Sequence, residues 1–162
     1  MSLFYAINNQ IIDVEVFHDS HFLFRLRPPS SSYQSSSSSP FIKIYLSNEH
    51  YCCEKYGIDL YSSGVQRTTE QSTTNEIASM LLALQGQIIQ GLSIDFDPPS
   101  KTDKEKNRYG ERQSIDVTFQ MESGEEIRFD IFNEHNGYYA HDYEIDVHVG
   151  PHASMQKYEG RL

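Results

Sequence analysis

The sequence predicts a β-rich α+β domain, mainly antiparallel, with about eight strands in two related β-units and one main helix between them. Three observations carry that expectation. Apolar and polar residues alternate through most of the chain, the period of a strand with one covered face. A single segment, TTNEIASMLLALQG, switches to a helical period. The tripeptide Asn-Glu-His stands twice, at 48–50 and 133–135, each time between two alternating runs.

Taken in order, IIDVEVF (11–17) and HFLFRLR (21–27) form a hairpin across Asp19-Ser20. The Ser/Pro-rich insertion 28–40 breaks regular structure, because its prolines deny ladder donors and its serines have nothing to bury. FIKIYLSN (41–48) and GIDLYS (57–62) resume the strand pattern. The helix is expected over about 75–85, capped by Thr74 or Asn75, with Ile77, Met80, Leu81 and Leu84 on one face and Gly86 ending it. IIQGLSIDFD (88–97) is a strand with a bulge expected at Gly91. A polar loop, 98–112, precedes three clear strands: SIDVTFQM, EIRFDIF and DYEIDVHV. Their alternate positions carry most of the acidic side chains, so one face reads as core and the other as wet.

An offset of 85 residues aligns Ile42 with Ile127, Lys43 with Arg128, and Asn48-Glu49-His50 with Asn133-Glu134-His135. The reading is one domain over 1–162 with an internal pseudo-repeat, 11–62 and 88–149.

Composition narrows the function. The chain has 162 residues and a formal charge of −10, and between Ser114 and Val149 only Arg128 opposes a long series of carboxylates. Such a surface repels phosphate backbones, so nucleic acid is a poor partner. The cluster Lys101, Lys104, Lys106, Arg108 and Arg112 is diluted by acids and reads as a solvated loop. No stretch reaches the roughly 20 apolar residues of a membrane span. The two cysteines, Cys52 and Cys53, are adjacent, too close for an ordinary disulfide, which suits a soluble protein of the reducing cytoplasm.

Three groups of residues are candidates for a site. The Asn-Glu-His loops satisfy backbone donors in the bland reading; as acid–base pairs they fail, because neighbours on an extended chain point to opposite faces. Histidines and cysteines offer a metal set: His50, Cys52, Cys53, His135 and His141, with zinc the chemistry they suit, although no ligand spacing of a recognised kind is present. Asn136-Gly137 is a strong turn signal that presents Tyr138 and Tyr139 beside His141. The favoured reading is a non-enzymatic binding or interaction module without a cofactor. Its contact surface comprises His50, Tyr51, Glu134, His135, Tyr138, Tyr139 and His141, and takes a protein partner or small ligand. A homo-oligomer is compatible with it. The alternative is a metal-binding protein or metal-dependent hydrolase using the His/Cys set.

NEHYCCEKYGIDL and FNEHNGYYAHDYEIDV together resemble a family of small uncharacterised phage and bacterial proteins, a domain of unknown function. The likeness lies in Cys52-Cys53-Glu54 and in the turn Asn136-Gly137-Tyr138-Tyr139, with a short helix ending in Gly and a strand between them. It spans 41–149. The Ser-rich insertion and the long 98–112 loop depart from it. The resemblance implies a viral or mobile-element origin, and with it a virion-associated structural or assembly role as a further alternative. It implies no mechanism.

Overall fold

The apolar faces of these strands dictate the architecture, because a sheet with one greasy side must cover that side with something. The computed structural model describes residues 2–18, 20–28, 39–47, 55–62, 65–67, 74–98, 111–135, 140–149 and 156–162. In it the cover is the sheet itself. Ten strands run β1 (Ser2–His18), β2 (His21–Arg27), β3 (Phe41–Leu46), β4 (Lys55–Ser62), β5 (Val65–Arg67), β6 (Ile88–Asp95), β7 (Glu111–Met121), β8 (Glu126–His135), β9 (Asp142–His148) and β10 (Gln156–Arg161). They form one sheet of order β10-β9-β3-β2-β1-β6-β7-β8-β4-β5, antiparallel at every pairing.

β1 is the hinge of that sheet. Its first half, Ser2 to Gln10, pairs with β6, and its second half, Gln10 to His18, pairs with β2. Register shifts between Ala6 and Asn9, Ile11 and Asp13, and Val16 and His18 bend it along its length. The wing β2-β3-β9-β10 therefore folds over the wing β6-β7-β8-β4-β5. β2 is separated from β8 within the sheet by β1, β6 and β7, yet Phe22 lies against Phe129 with ring centroids 6.0 Å apart. Phe24 meets Phe119 edge-on at 5.0 Å and Phe129 at 5.7 Å, and Phe119 meets Phe129 at 5.0 Å. All four rings are fully buried.

The expectation of an α+β protein is thus corrected. The fold is nearly all β, and α1 (Thr74–Leu82) is one short helix. It inserts Ile77 and Leu81, with Leu84 of the following turn, into the common core. Gly86, at φ +89°, closes that turn, and its N–H donates to the carbonyl of Ile11. A helical period within a sequence does not make a helical layer when only one turn-rich segment carries it.

Among the described residues the two β-units do not form separate sheets either. Each half of the chain sends strands into the other wing: after β3 the chain crosses so that β4 pairs with β8, and after β8 it crosses back so that β9 pairs with β3. The strand order reads the same when β1–β5 are exchanged for β6–β10 and the list is reversed. The second Asn-Glu-His triplet stands where the crossing back begins. Residues 48–50 lie outside the described part, whereas Asn133, Glu134 and the backbone of His135 end β8.

Other elements depart from expectation in extent. β1 begins at Ser2 rather than Ile11, β7 already starts at Glu111 inside the presumed polar loop, and β5 and β10 are additional strands. The Ser/Pro insertion lies mainly outside the described residues. The bulge at Gly91 is present as a register shift between Ile89 and Gly91. Among the described residues no helix is long and apolar enough to cross a membrane.

Because Phe129 joins both wings, Phe129→Ala is expected to lower the unfolding free energy by about 3–5 kcal/mol in urea titrations. A loss below about 1 kcal/mol would show that the wings are held together elsewhere.

Candidate functional site

The outward faces of the two wings are not simply wet. On one wing a single rung across four strands carries Asp95, Asp116, Asp130 and Asp59 directly opposite one another. Four carboxylates in one row repel, so the row requires cations. Arg112 supplies one from β7: its guanidinium pairs with Asp130, reaches Glu134 at 3.0 Å and Asp59 at 3.8 Å, and lies 4.1 Å above the ring of Phe132. Arg128 supplies the second, 3.8 Å from Asp116 and 4.1 Å over the ring of Tyr61. Asp59, Asp130 and Glu134 are each about 5% exposed. Burial alone would depress the Arg112 pKa, but Asp130 and Glu134 outweigh it and hold it above the ordinary value. Arg112, on β7, is therefore the half-exposed cation of a network of buried carboxylates, and not part of a solvated loop.

The other wing solves a similar problem with lysines. Lys43 faces Asp146 across β3–β9, and Lys157 faces Asp146 across β9–β10. Glu144, two residues along the same face, takes Lys43 Nζ at 3.0 Å and Lys157 Nζ at 3.3 Å. The two acids divide the charge unequally. Burial pushes Asp146 up to about 6, reinforced by a hydrogen bond and repulsion from Glu144. Burial acts on Glu144 in the same sense, but Lys43, the hydrogen bond with Asp146 and Lys157 overcome it and bring Glu144 down to about 2.

Beyond Glu144 the same face opens into a groove of about 420 Å³ lined by Tyr45, Asp142, Tyr143, Glu144, Glu159, Gly160 and Arg161. Tyr45, Glu144 and Glu159 form one rung, and Asp142 with Arg161 forms the next, joined by an ion pair at 3.0 Å. Tyr143 comes up beside Gly160; a Cβ there would lie 2.9 Å from the Tyr143 hydroxyl, so only glycine lets the ring settle against the strand. Burial raises the Tyr143 pKa.

Of the expected contact surface the structure describes the side chains of Glu134 and His141. His50, Tyr51, Cys52, Cys53, Tyr138 and Tyr139 lie outside the described residues, as does the side chain of His135. Glu134 and His141 are described, and both are buried, the first held by Arg112 and the second fully enclosed. His141 stacks on Tyr56 with centroids 4.0 Å apart, and its Nδ1 lies 2.8 Å from the carbonyl of Ser47. Its backbone exchanges two hydrogen bonds with Leu162, whose carbonyl also accepts from the Asn133 side chain at 3.0 Å. Neither residue can serve as an exposed handle, because each locks the ground where the chain crosses between wings. Of the metal candidates only His141 has a described side chain, and among the described residues no three His, Cys, Asp or Glu groups are placed to hold an ion.

The groove was missed in the sequence because β10 itself was missed. QKYEGR has one apolar residue and no alternation of hydrophobicity; its available signal is alternation of charge, Lys157, Glu159, Arg161.

Two outcomes are expected. Arg112→Met should cost about 3 kcal/mol in urea unfolding, since Asp130 and Glu134 stay buried without their cation. The second concerns pH. A pKa raised on folding, as for Asp146, contributes stability that is present below its unfolded value of 3.8 and lost as pH rises through about 6. The lowered Glu144 contributes in the opposite sense, present above 4.5 and lost as pH falls toward about 2. Wild type should therefore lose about 1–3 kcal/mol between roughly pH 4.5 and 7, and Asp146→Asn should abolish most of that loss. Parallel curves for the two proteins would assign the pH dependence to other groups.

No family model matches the chain, and neither the curated proteins nor the solved structures include a match to it.

Proposed function

We propose that the protein is an interaction module that binds an extended partner segment along β10, with the adjoining groove receiving side chains of that segment. The observation that carries this reading is the state of β10: among the described strands it is hydrogen-bonded to β9 alone, it ends the sheet order, and its side chains are mostly exposed. A six-residue sheet edge of this kind is a template for one more strand. β5, at the other end, has only three residues, too short to offer the same ladder.

The groove supplies what backbone pairing lacks. Main-chain hydrogen bonds recognise any extended peptide, whereas pockets for alternate side chains discriminate among them. Tyr45 and Tyr143 give the groove aromatic walls, and Asp142, Glu144, Glu159 and Arg161 give it charged corners. In the sequence two residues separate the tyrosine pair Tyr138-Tyr139 from Asp142.

The outward charges of β10 alternate as Lys157, Glu159, Arg161. A peptide strand of pattern Glu-x-Lys-x-Glu, with valine at x, places an opposite charge against each. It is expected to bind saturably, with NMR shifts confined to β9, β10 and Tyr45, and to weaken as salt is raised. The reversed pattern, Lys-x-Glu-x-Lys, should bind at least about fivefold more weakly. Equal affinity for both peptides, or shifts spread over the whole surface, would overturn the assignment.

A further inference from the structure

We infer that the segment docking on this edge is β10 of a second copy of the same chain, paired antiparallel about a two-fold axis. This inference rests on the reading of β10 as a docking edge and names its occupant.

The argument is one of register. Residues directly opposite in an antiparallel pair share a face, so Tyr158 and Gly160 oppose inward positions while Lys157, Glu159 and Arg161 oppose outward ones. Three two-fold registers keep most of the strand in contact. Centred on Glu159, the pairing sets that carboxylate against the partner's Glu159, and Lys157 against the partner's Arg161. Like charges meet at every outward position. Centred on Gly160, it sets Glu159 against the partner's Arg161, but Tyr158 must then lie opposite the partner's Leu162. Leu162 is buried and lies beyond the end of β10, so this register pairs only Glu159, Gly160 and Arg161 of the strand. Centred on Tyr158, it sets Lys157 against the partner's Glu159 and, by symmetry, Glu159 against the partner's Lys157. Gln156 then faces the partner's Gly160, and every residue used lies within β10.

Charge thus excludes the register centred on Glu159, and the length of strand paired favours the one centred on Tyr158. Charged side chains, inward-pointing charges and prolines protect an edge against pairing. β10 has neither a proline nor an inward-pointing charge, and its outward charges are of both signs. Its outward row alternates in sign, which fails to repel a copy of itself displaced by two residues. The side chains concerned reach solvent, with Lys157 42%, Glu159 68% and Arg161 76% exposed, and Lys157 and Arg161 would share their charge between the partner and Glu144 or Asp142. Tyr158 points under the strand, where its hydroxyl meets that of Tyr5 and its ring packs 5.6 Å from Phe96, so the edge is held firmly from below.

A single strand pair buries little area, so the dimer is expected to be weak and concentration-dependent. Sedimentation equilibrium of the full chain should show monomer passing to dimer as concentration rises. Glu159→Lys makes the outward row wholly cationic and should weaken association about tenfold or more; the double variant Lys157→Glu, Arg161→Glu makes it wholly anionic with the same result. Mixed in equal amounts, the two variants should form a heterodimer that neither forms alone. Circular dichroism verifies that each is folded, and if the double variant is not, Glu159→Gln is expected to weaken association by a smaller factor, about threefold. A mixture that does not associate, or a dimer indifferent to residue 159, overturns the inference. A monomeric wild type that still binds the Glu-x-Lys-x-Glu peptide removes the second copy and leaves the docking edge standing. A monomeric wild type that also ignores the peptide removes both.

Discussion

The contact between β2 and β7–β8 through Phe22, Phe24, Phe119 and Phe129 is the constraint on which the rest of the molecule depends. A ten-stranded sheet with one apolar face has no stable flat form in water, and among the described residues one short helix is the only other element that could cover that face. It covers itself. β1 makes this geometrically feasible by belonging to both wings and bending at three register shifts between them. The four rings then meet at centroid separations of 5.0 to 6.0 Å, in tilted and edge-on arrangements that the ring quadrupoles favour. Everything facing outward, the charged rungs and the groove included, occupies its place because the inward residues alternate with it.

That alternation has a cost on the outer faces. The same period that buries Ile58, Leu60, Phe129 and Ile131 puts Asp59 and Asp130 side by side. In one wing the remedy is arginine. A planar fork can serve Asp130 and Glu134 at once while its flat face rests on Phe132, and it keeps its charge despite burial. In the other wing the cations are lysines, which act as point charges, and two of them do not fully satisfy two carboxylates. Asp146 is left holding its proton to higher pH while Glu144 is held ionised. The rung served by lysines is thus the one in which burial and a neighbouring carboxylate leave an acid holding its proton to higher pH.

How far these features could be read in the sequence depends on what each residue reports. The strands around Ile42, Ile115, Val117, Ile127 and Ile145 were legible, since each sits in a clean alternation and is buried accordingly. Ser2–Gln10 was not, because Phe4 occupies the outward phase at 64% exposure and spoils the period. β10 was not, because an edge strand needs few apolar residues and its tyrosine was the only one. The helix was located nearly in place, but its period says nothing about whether a helix forms a layer or plugs a gap. Most consequential was the acidic face, taken as wet from alternation alone. Alternation reports which residues share a side, not how much water that side sees. The arginines that occur within acidic strands, Arg112 and Arg128, were the available clue that some of those acids are paired.

The candidate site follows from how β10 is held. An exposed strand at the end of a sheet ordinarily frays, and a fraying strand must be ordered again whenever something docks on it. Here Tyr158 is fixed beneath the strand by Tyr5, whose hydroxyl pKa is raised by burial and by that hydrogen bond, and by Phe96. Beyond its last residue, Leu162 is buried and tied by His141 and Asn133, the same residues that mark the crossing from β8 to β9. The crossing therefore does two jobs. It carries the chain between wings, and it clamps the far end of the edge strand, so that the ordering entropy of that strand is already spent in folding. Residues that read as exposed chemistry in the sequence, His141 above all, act instead as the fixture that lets a neighbouring polar strand stay both rigid and open.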